Sequence, residues 1–168
     1  MLPVIQANKP NRTGRILIAV DDSPRAAGVF DTGAEYARKL GAELYLFQTL
    51  TIPPEFPAAA ASSEEDQLPA HLIKIAKGQL CDLAKRAPDI AIAETVITFG
   101  TPGQMILEAA DKLQVDLIVL GSHGYRGWDR VLGTTAATIA NRSTRNVLVV
   151  HASSPNGNRR AEESHSKL

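Results

Sequence analysis

A group of glycines and threonines in the stretch VLGSHGYRGWDRVLGTTAATIA has the composition and spacing of a phosphate site. An apolar, strand-like run ends at the first glycine, and a helical pattern follows the threonines. Glycine lets the backbone approach an anion closely, and the N–H groups and hydroxyls at a helix N-terminus favour negative charge. An alternative without any ligand stays open, in which the first threonine caps the helix and the glycines only shape the turn. The residues concerned are Gly121, Gly124, Gly133, Thr134 and Thr135.

The common nucleotide-binding motifs are absent from the sequence. After the first apolar run the chain reads DDSPRAAG, which matches neither the Walker phosphate loop nor the G-x-G-x-x-G turn of dinucleotide-binding folds. Asp21 and Asp22 open this segment and suggest the acidic pair of a response-regulator receiver domain. Such a domain also needs an aspartate after its third strand and a lysine after its fifth, where this chain has TFGTPG and VVHASS. The sequence therefore disfavours a phosphoaspartate mechanism.

Residues for catalysis or metal binding do not cluster along the chain. The histidines are scattered, and neither an H-E-x-x-H nor a C-x-x-C spacing occurs. Ser122 lies outside any G-x-S-x-G motif, and His151 ends a strand, where a structural role is expected. The pattern predicts a binding protein without catalytic residues or metal ligands.

Five apolar runs alternate with amphipathic helical patterns and place these residues in a fold. Because the runs are apolar on both faces, they predict a doubly wound α/β fold, with a five-stranded parallel sheet sandwiched by helices. Ligands of such sheets bind outside the carboxyl ends of the strands, where the glycine turn and Asp21 fall. We predict strands over 15–20, 42–50, 90–100, 116–121 and 146–151, and helices from Ser23 and Pro24 to Gly41, over 71–87, from Pro102 with Thr101 as its cap, and over 134–142.

Composition argues against several classes of protein. Eighteen lysines and arginines balance 18 aspartates and glutamates, so the basic excess of a nucleic-acid-binding protein is missing. No apolar run approaches the roughly 20 residues that span a bilayer, and the first residues lack a signal-peptide core. The single cysteine, Cys81, cannot form an intrachain disulfide. We therefore expect a cytoplasmic protein with no nucleic-acid or membrane partner.

Three segments together resemble the universal stress protein family in its single-domain bacterial type. They are ILIAVDDSP, VITFGTPGQMILEAADKLQVDLIVLGSHG and VLGTTAATIANRSTRNVLVV, and the resemblance covers about residues 14–151. It implies an adenine-nucleotide alpha hydrolase-like sandwich and a homodimer paired through the last strand, from Asn146 to His151. We expect this domain to lie between a flexible arm of residues 1–13 and a polar tail of residues 152–168. Within the domain, we expect residues 51–70 to form a surface excursion.

The ATP-binding members of that family share a pattern that this chain nearly matches. The pattern is a glycine, two residues, a glycine, nine residues, and a glycine followed by serine or threonine. Gly121, Gly124, Gly133 and Thr134 match it, but only eight residues separate the second and third glycines. Losing one residue shifts a chain by up to about 3.5 Å, so the loop must close differently or the second phosphate anchor must move.

The resemblance also implies roles for residues on two strands and directly after the first strand. Asp21 matches the aspartate that holds the ribose, and Asp22 replaces the glycine that usually follows it. Thr49 and Leu120 fall on the strands that line the adenine. Two functions follow. In the first, ATP, with Mg²⁺, binds as the regulatory ligand of a stress-response protein and is hydrolysed slowly at most. In the second, the site is vestigial and the homodimer acts as a protein-interaction module. The retained glycines and Asp21 favour the first.

Overall fold

The computed structural model describes residues 14–51, 67–122 and 132–151 of the chain. Strands and helices alternate through these ranges, as the apolar runs predicted. The elements are β1 (Arg15–Val20), α1 (Ala26–Leu40), β2 (Glu43–Leu50), α2 (Gln67–Ala84), β3 (Ile92–Phe99), α3 (Pro102–Lys112), β4 (Leu117–Gly121), α4 (Thr134–Arg142) and β5 (Asn146–Val150).

The five strands form one parallel sheet in the order β3-β2-β1-β4-β5. The chain moves outwards from β1 to β3 and then returns to place β4 on the other side of β1. The connections that leave β1 and β4 therefore run to opposite faces of the sheet and open a crevice at its carboxyl edge. The predicted doubly wound five-stranded sheet is confirmed.

Each face of the sheet has its own apolar core, because successive side chains of a strand point to opposite sides. Leu17 and Phe47 belong to the core under α3 and α4. Ile18 and Leu46 belong to the core under α1 and α2. The two cores explain why the strand sequences show no polar face.

The start of α1 differs from the prediction. The helix begins at Ala26 rather than at Ser23 and Pro24. The Ser23 N–H donates to Asp21 Oδ1 at 3.1 Å, and the Arg25 N–H donates to Ser23 Oγ at 3.3 Å. These local hydrogen bonds hold a turn that competes with the helix, so Ser23 supports the turn and does not cap α1.

One other boundary and one capping role also needed correction. Helix α2 begins at Gln67, four residues before the predicted start at 71, so residues 67–70 belong to the helix and not to the excursion. Pro69 had suggested a loop, but proline is tolerated in the first turn of a helix. Thr101 occupies the cap position of α3 as predicted, yet its side chain makes no capping hydrogen bond. None of the described helices is both long and apolar enough to cross a membrane.

Candidate functional site

A cleft of about 810 Å³ opens at the carboxyl edge of the sheet, where the connections after β1 and β4 diverge. This volume lies within the range of roughly 300–1,000 Å³ that is typical of small-molecule sites. Its apolar walls come from both the sheet and the neighbouring helices, and include Ala19, Val29, Phe47, Ile106 and Leu120.

The cleft brings together most of the residues that the sequence singled out. They come from the ends of three strands and from the start of α4, so parallel pairing gathers segments that are far apart in the chain. Gly124 lies outside the described residues. Those that line the cleft are Asp21, Thr49, Leu120, Gly121, Gly133, Thr134 and Thr135.

Thr49 contributes a buried hydroxyl to the cleft. No hydrogen-bond partner for its Oγ1 exists within the part of the chain that the structure describes. An unsatisfied buried polar atom costs about 1–3 kcal/mol, so the sheet is more stable once this oxygen finds a partner. Because Thr49 lines the cleft, a ligand with a polar edge can supply that partner.

The N-terminus of α4 forms another wall of the cleft. Gly133 holds the N-cap position with φ −58° and ψ 156°, and as a glycine it offers no side chain to cap the helix. The alternative in which Thr134 caps α4 is therefore wrong, because Thr134 is already the first residue inside the helix. The first backbone N–H groups of a helix have no partner within it and attract anions. Thr134, Thr135 and Ala136 present this helix start to the cleft.

Gly121 has a packing role beside any role in binding. A Cβ at this position would lie 3.1 Å from Val29 Cγ2 on α1, closer than ordinary van der Waals contact. A side chain at the end of β4 would therefore require Val29 to move by a few tenths of an ångström. The close contact with Val29 explains in part why a glycine occupies position 121.

Sequence analysis missed a set of contacts that hold the turn after β4. Arg25 Nη1 donates to the Ser122 carbonyl oxygen at 3.3 Å, and the Ser122 N–H donates to the Val150 carbonyl oxygen at 2.9 Å. The Ser122 hydroxyl lies 2.8 Å from His151 Nδ1. The connection after β1 and the end of β5 thus meet at Ser122. The one signal in the sequence for these contacts was the position of Arg25, four residues after Asp21 at the same edge of the sheet.

The described residues contain no group of three or more His, Cys, Asp or Glu side chains placed to hold a metal ion.

A sequence model of the Universal stress protein family matches residues 13–151. This chain belongs to the universal stress protein family. Universal stress protein A homolog 1 of Coxiella burnetii is 33% identical to it over 140 residues, which cover 80% of this chain and 94% of that protein.

Solved universal stress proteins share the fold of this family member. UspA from Lactobacillus plantarum superposes with a TM-score of 0.62 at 26% identity, covering 84% of this chain and 100% of the other. A universal stress protein in complex with cAMP superposes with a TM-score of 0.59, also at 26% identity, covering 84% and 98%. The predicted adenine-nucleotide alpha hydrolase-like fold is confirmed.

Proposed function

We propose that this universal stress protein binds an adenine nucleotide in the cleft and uses it as a regulatory ligand. The buried hydroxyl of Thr49 carries the proposal, because it has no hydrogen-bond partner among the described residues and a polar edge of a ligand can supply one. The start of α4, whose N-cap glycine has no side chain, supports a phosphate at another wall of the same cleft. The similar protein solved in complex with cAMP supports an adenine nucleotide as the ligand class.

The proposed roles follow the chemistry of the lining. The base lies against the apolar wall that includes Leu120, and its polar edge meets the Thr49 hydroxyl. The Asp21 carboxylate accepts a hydrogen bond from a ribose hydroxyl. The phosphates meet backbone N–H groups and hydroxyls of the glycine turn and of α4. For this last role we propose Gly121, Gly124, Gly133, Thr134 and Thr135, with Gly124 on its sequence match alone.

ATP with Mg²⁺ is one ligand of this class, and we propose binding rather than turnover. The Asp21 carboxylate already accepts the Ser23 N–H at 3.1 Å, so it serves as a positioning group more readily than as a base that activates water. A ligand that binds only the folded protein stabilises it by mass action. By bridging the connections after β1 and β4 and the start of α4, it would change the surface offered to partners.

Isothermal titration with AMP and with MgATP tests the proposal, using Thr49→Val and Thr49→Ser as a matched pair. Losing one hydrogen bond is worth roughly 1 kcal/mol, so we expect the valine variant to bind about fivefold more weakly. The serine variant keeps the hydroxyl and should stay within about twofold of the wild type. Absence of binding by either nucleotide, with an unchanged melting temperature at saturating ligand, would refute the proposed function.

A second proposal concerns assembly through β5. In the described sheet β5 is an edge strand that pairs only with β4, and its residues Val147 to Val150 are half-buried. A bare edge with apolar side chains can pair with another strand. We propose that two copies pair through the strand from Asn146 to His151, and that this homodimer is the protein-interaction module if the cleft stays empty. Val149→Lys should convert a dimer to a monomer in light scattering, while circular dichroism stays unchanged.

A further inference from the structure

Ser122 and His151 form a pair of a hydroxyl and an imidazole beside the cleft. Resting on the proposed nucleotide site, we infer that Ser122 accepts the terminal phosphoryl group of a bound nucleoside triphosphate, and that His151 takes up the proton of the hydroxyl. Each chain is modified once, so the reaction is compatible with a nucleotide that is bound rather than turned over.

The distance between the two side chains is that of a nucleophile and its base. Ser122 Oγ lies 2.8 Å from His151 Nδ1. A base can take up the proton of a nucleophile at about 2.6–3.2 Å. When the imidazole carries its own proton on Nε2, the hydroxyl donates and Nδ1 accepts. His151 is exposed, so the ring can afterwards release the proton to solvent.

The backbone of Ser122 is held independently of this side-chain contact. Its N–H donates to the Val150 carbonyl oxygen at 2.9 Å, and its carbonyl oxygen accepts a hydrogen bond from Arg25 Nη1 at 3.3 Å. These two bonds already join the end of β4 to β5 and to the connection after β1. The strands therefore do not need the contact between hydroxyl and imidazole, and this leaves the pair available for chemistry.

Ser122 also lies where a phosphate can reach it. It lines the same cleft as Gly121, Thr134 and Thr135, the described residues at which we propose that the phosphates bind. Ser122 directly follows Gly121 in the chain. A nucleotide whose base lies against the sheet can thus bring its last phosphate to the hydroxyl, and a triphosphate reaches further than a monophosphate.

The inferred step is a single phosphoryl transfer. Ser122 Oγ attacks the terminal phosphorus, and a bond forms between these two atoms. The bond from this phosphorus to the oxygen that joins it to the next phosphate breaks, and a nucleoside diphosphate leaves with the electron pair. The hydroxyl proton passes to His151 Nδ1. The products are phosphoserine and the diphosphate, and no atom changes its oxidation state.

The product should limit the reaction to one transfer. Phosphoserine carries a charge of about −1.5 to −2 near neutral pH, and this charge would lie in the lining of the cleft. Because like charges repel, a second nucleotide should bind more weakly once Ser122 is phosphorylated.

The test is incubation of the purified protein with ATP and Mg²⁺, followed by intact-mass spectrometry for added phosphoryl groups and fragment spectra that locate them. The variants are Ser122→Ala and His151→Asn, because the asparagine oxygen can accept the hydrogen bond but is not a base. Ser143→Ala and His71→Asn are matched controls outside the described lining of the cleft. Titration calorimetry with an ATP analogue that has a methylene between its last two phosphates measures binding separately.

We expect the wild type and both controls to approach one phosphoryl group per chain, located on Ser122. The rate constant should not depend on protein concentration, because the nucleotide and its acceptor belong to the same molecule; this excludes a contaminating kinase. Ser122→Ala should gain no phosphoryl group, and His151→Asn should react at least about tenfold more slowly. Both variants should still bind the analogue, which shows that they are folded.

Two results would overturn the inference and leave the proposed function standing. In the first, the wild type binds the analogue but Ser122 stays unmodified by ATP. In the second, His151→Asn is phosphorylated as fast as the wild type. If the wild type binds neither the analogue nor any other adenine nucleotide, the proposed function itself fails.

Discussion

Arg38 on α1 donates two parallel hydrogen bonds to the carboxylate of Asp89, which follows α2. Its Nη2 lies 2.7 Å from Asp89 Oδ1, and its Nε lies 2.5 Å from Oδ2. A second pair, from Arg86 to Asp31, joins the same two regions with the charges in the opposite order. Exposed ion pairs contribute little singly, but a bidentate fork fixes its geometry. Together the two pairs hold α1 against the end of α2.

The Arg38 pair makes a pH-dependent contribution to stability. Its hydrogen bond lowers the pKa of Asp89 from 3.8 to about 2. Because the folded protein favours the carboxylate, the contribution is fully present above the unfolded pKa and disappears as pH falls through the folded one. We expect the melting temperatures of wild type and Asp89→Asn to differ by a constant amount near neutral pH. Between about pH 4 and pH 2 this difference should shrink towards zero. A difference that persists at pH 2 would contradict the assignment.

Two helical glycines should respond in opposite ways to alanine. At Gly33, which faces β1, a Cβ would collide with Ile18 Cδ1 and lie 2.7 Å from Ile18 Cγ1. Ile18 is fully buried, so overpacking should make Gly33→Ala less stable by about 1–2 kcal/mol. Gly78 on α2 has nothing within 4 Å of such a Cβ. There, Gly78→Ala should stabilise the protein by about 0.5–1 kcal/mol, because alanine favours the helix. Urea denaturation measures both, and equal effects would show that the close contact at Gly33 is relieved at no cost.

Removing the Thr49 hydroxyl should stabilise the ligand-free protein. Its Oγ1 is buried without a partner among the described residues. Thr49→Val removes this unsatisfied oxygen and keeps nearly the same side-chain shape. We expect an increase of about 1 kcal/mol in the free energy of unfolding. Thr32 is the control, because its hydroxyl donates to the Gly28 carbonyl oxygen at 2.9 Å. Thr32→Val should give no such gain. A loss of stability in Thr49→Val would mean that the hydroxyl already has a partner.

A carboxylate at the start of α4 should compete with a bound phosphate. Gly133 has an extended backbone that other residues adopt readily, and aspartate is a preferred N-cap residue. In Gly133→Asp the new carboxylate should accept hydrogen bonds from the first N–H groups of the helix and repel an anion. We expect equal or slightly higher thermal stability, with AMP affinity reduced at least about tenfold. Asn141→Asp adds the same charge at the other end of α4 and should leave the affinity unchanged. Unchanged binding in Gly133→Asp would remove α4 from the site.

Prediction from sequence succeeded where the signal is local. The bounds of α4 were predicted correctly, because its apolar spacing and the glycine before it act within one short segment. The start of α1 was missed because Asp21 and Ser23 form hydrogen bonds that hold a turn in place of the first helical turn. The cleft residues could be named in advance only because the carboxyl ends of parallel strands share one edge of the sheet.

The sequence by itself determined the alternation of strands and helices, the parallel sheet and the family, since all three follow from the order and composition of short segments. Only the tertiary structure decided which polar groups meet. Arg25 reaches the Ser122 carbonyl across 97 positions of the chain, and the Thr49 hydroxyl is buried without a partner in the described region. Contacts of this kind depend on how strands align and how helices pack over them. No local pattern of residue types specifies that geometry, because it arises from the summed packing of segments far apart in the chain.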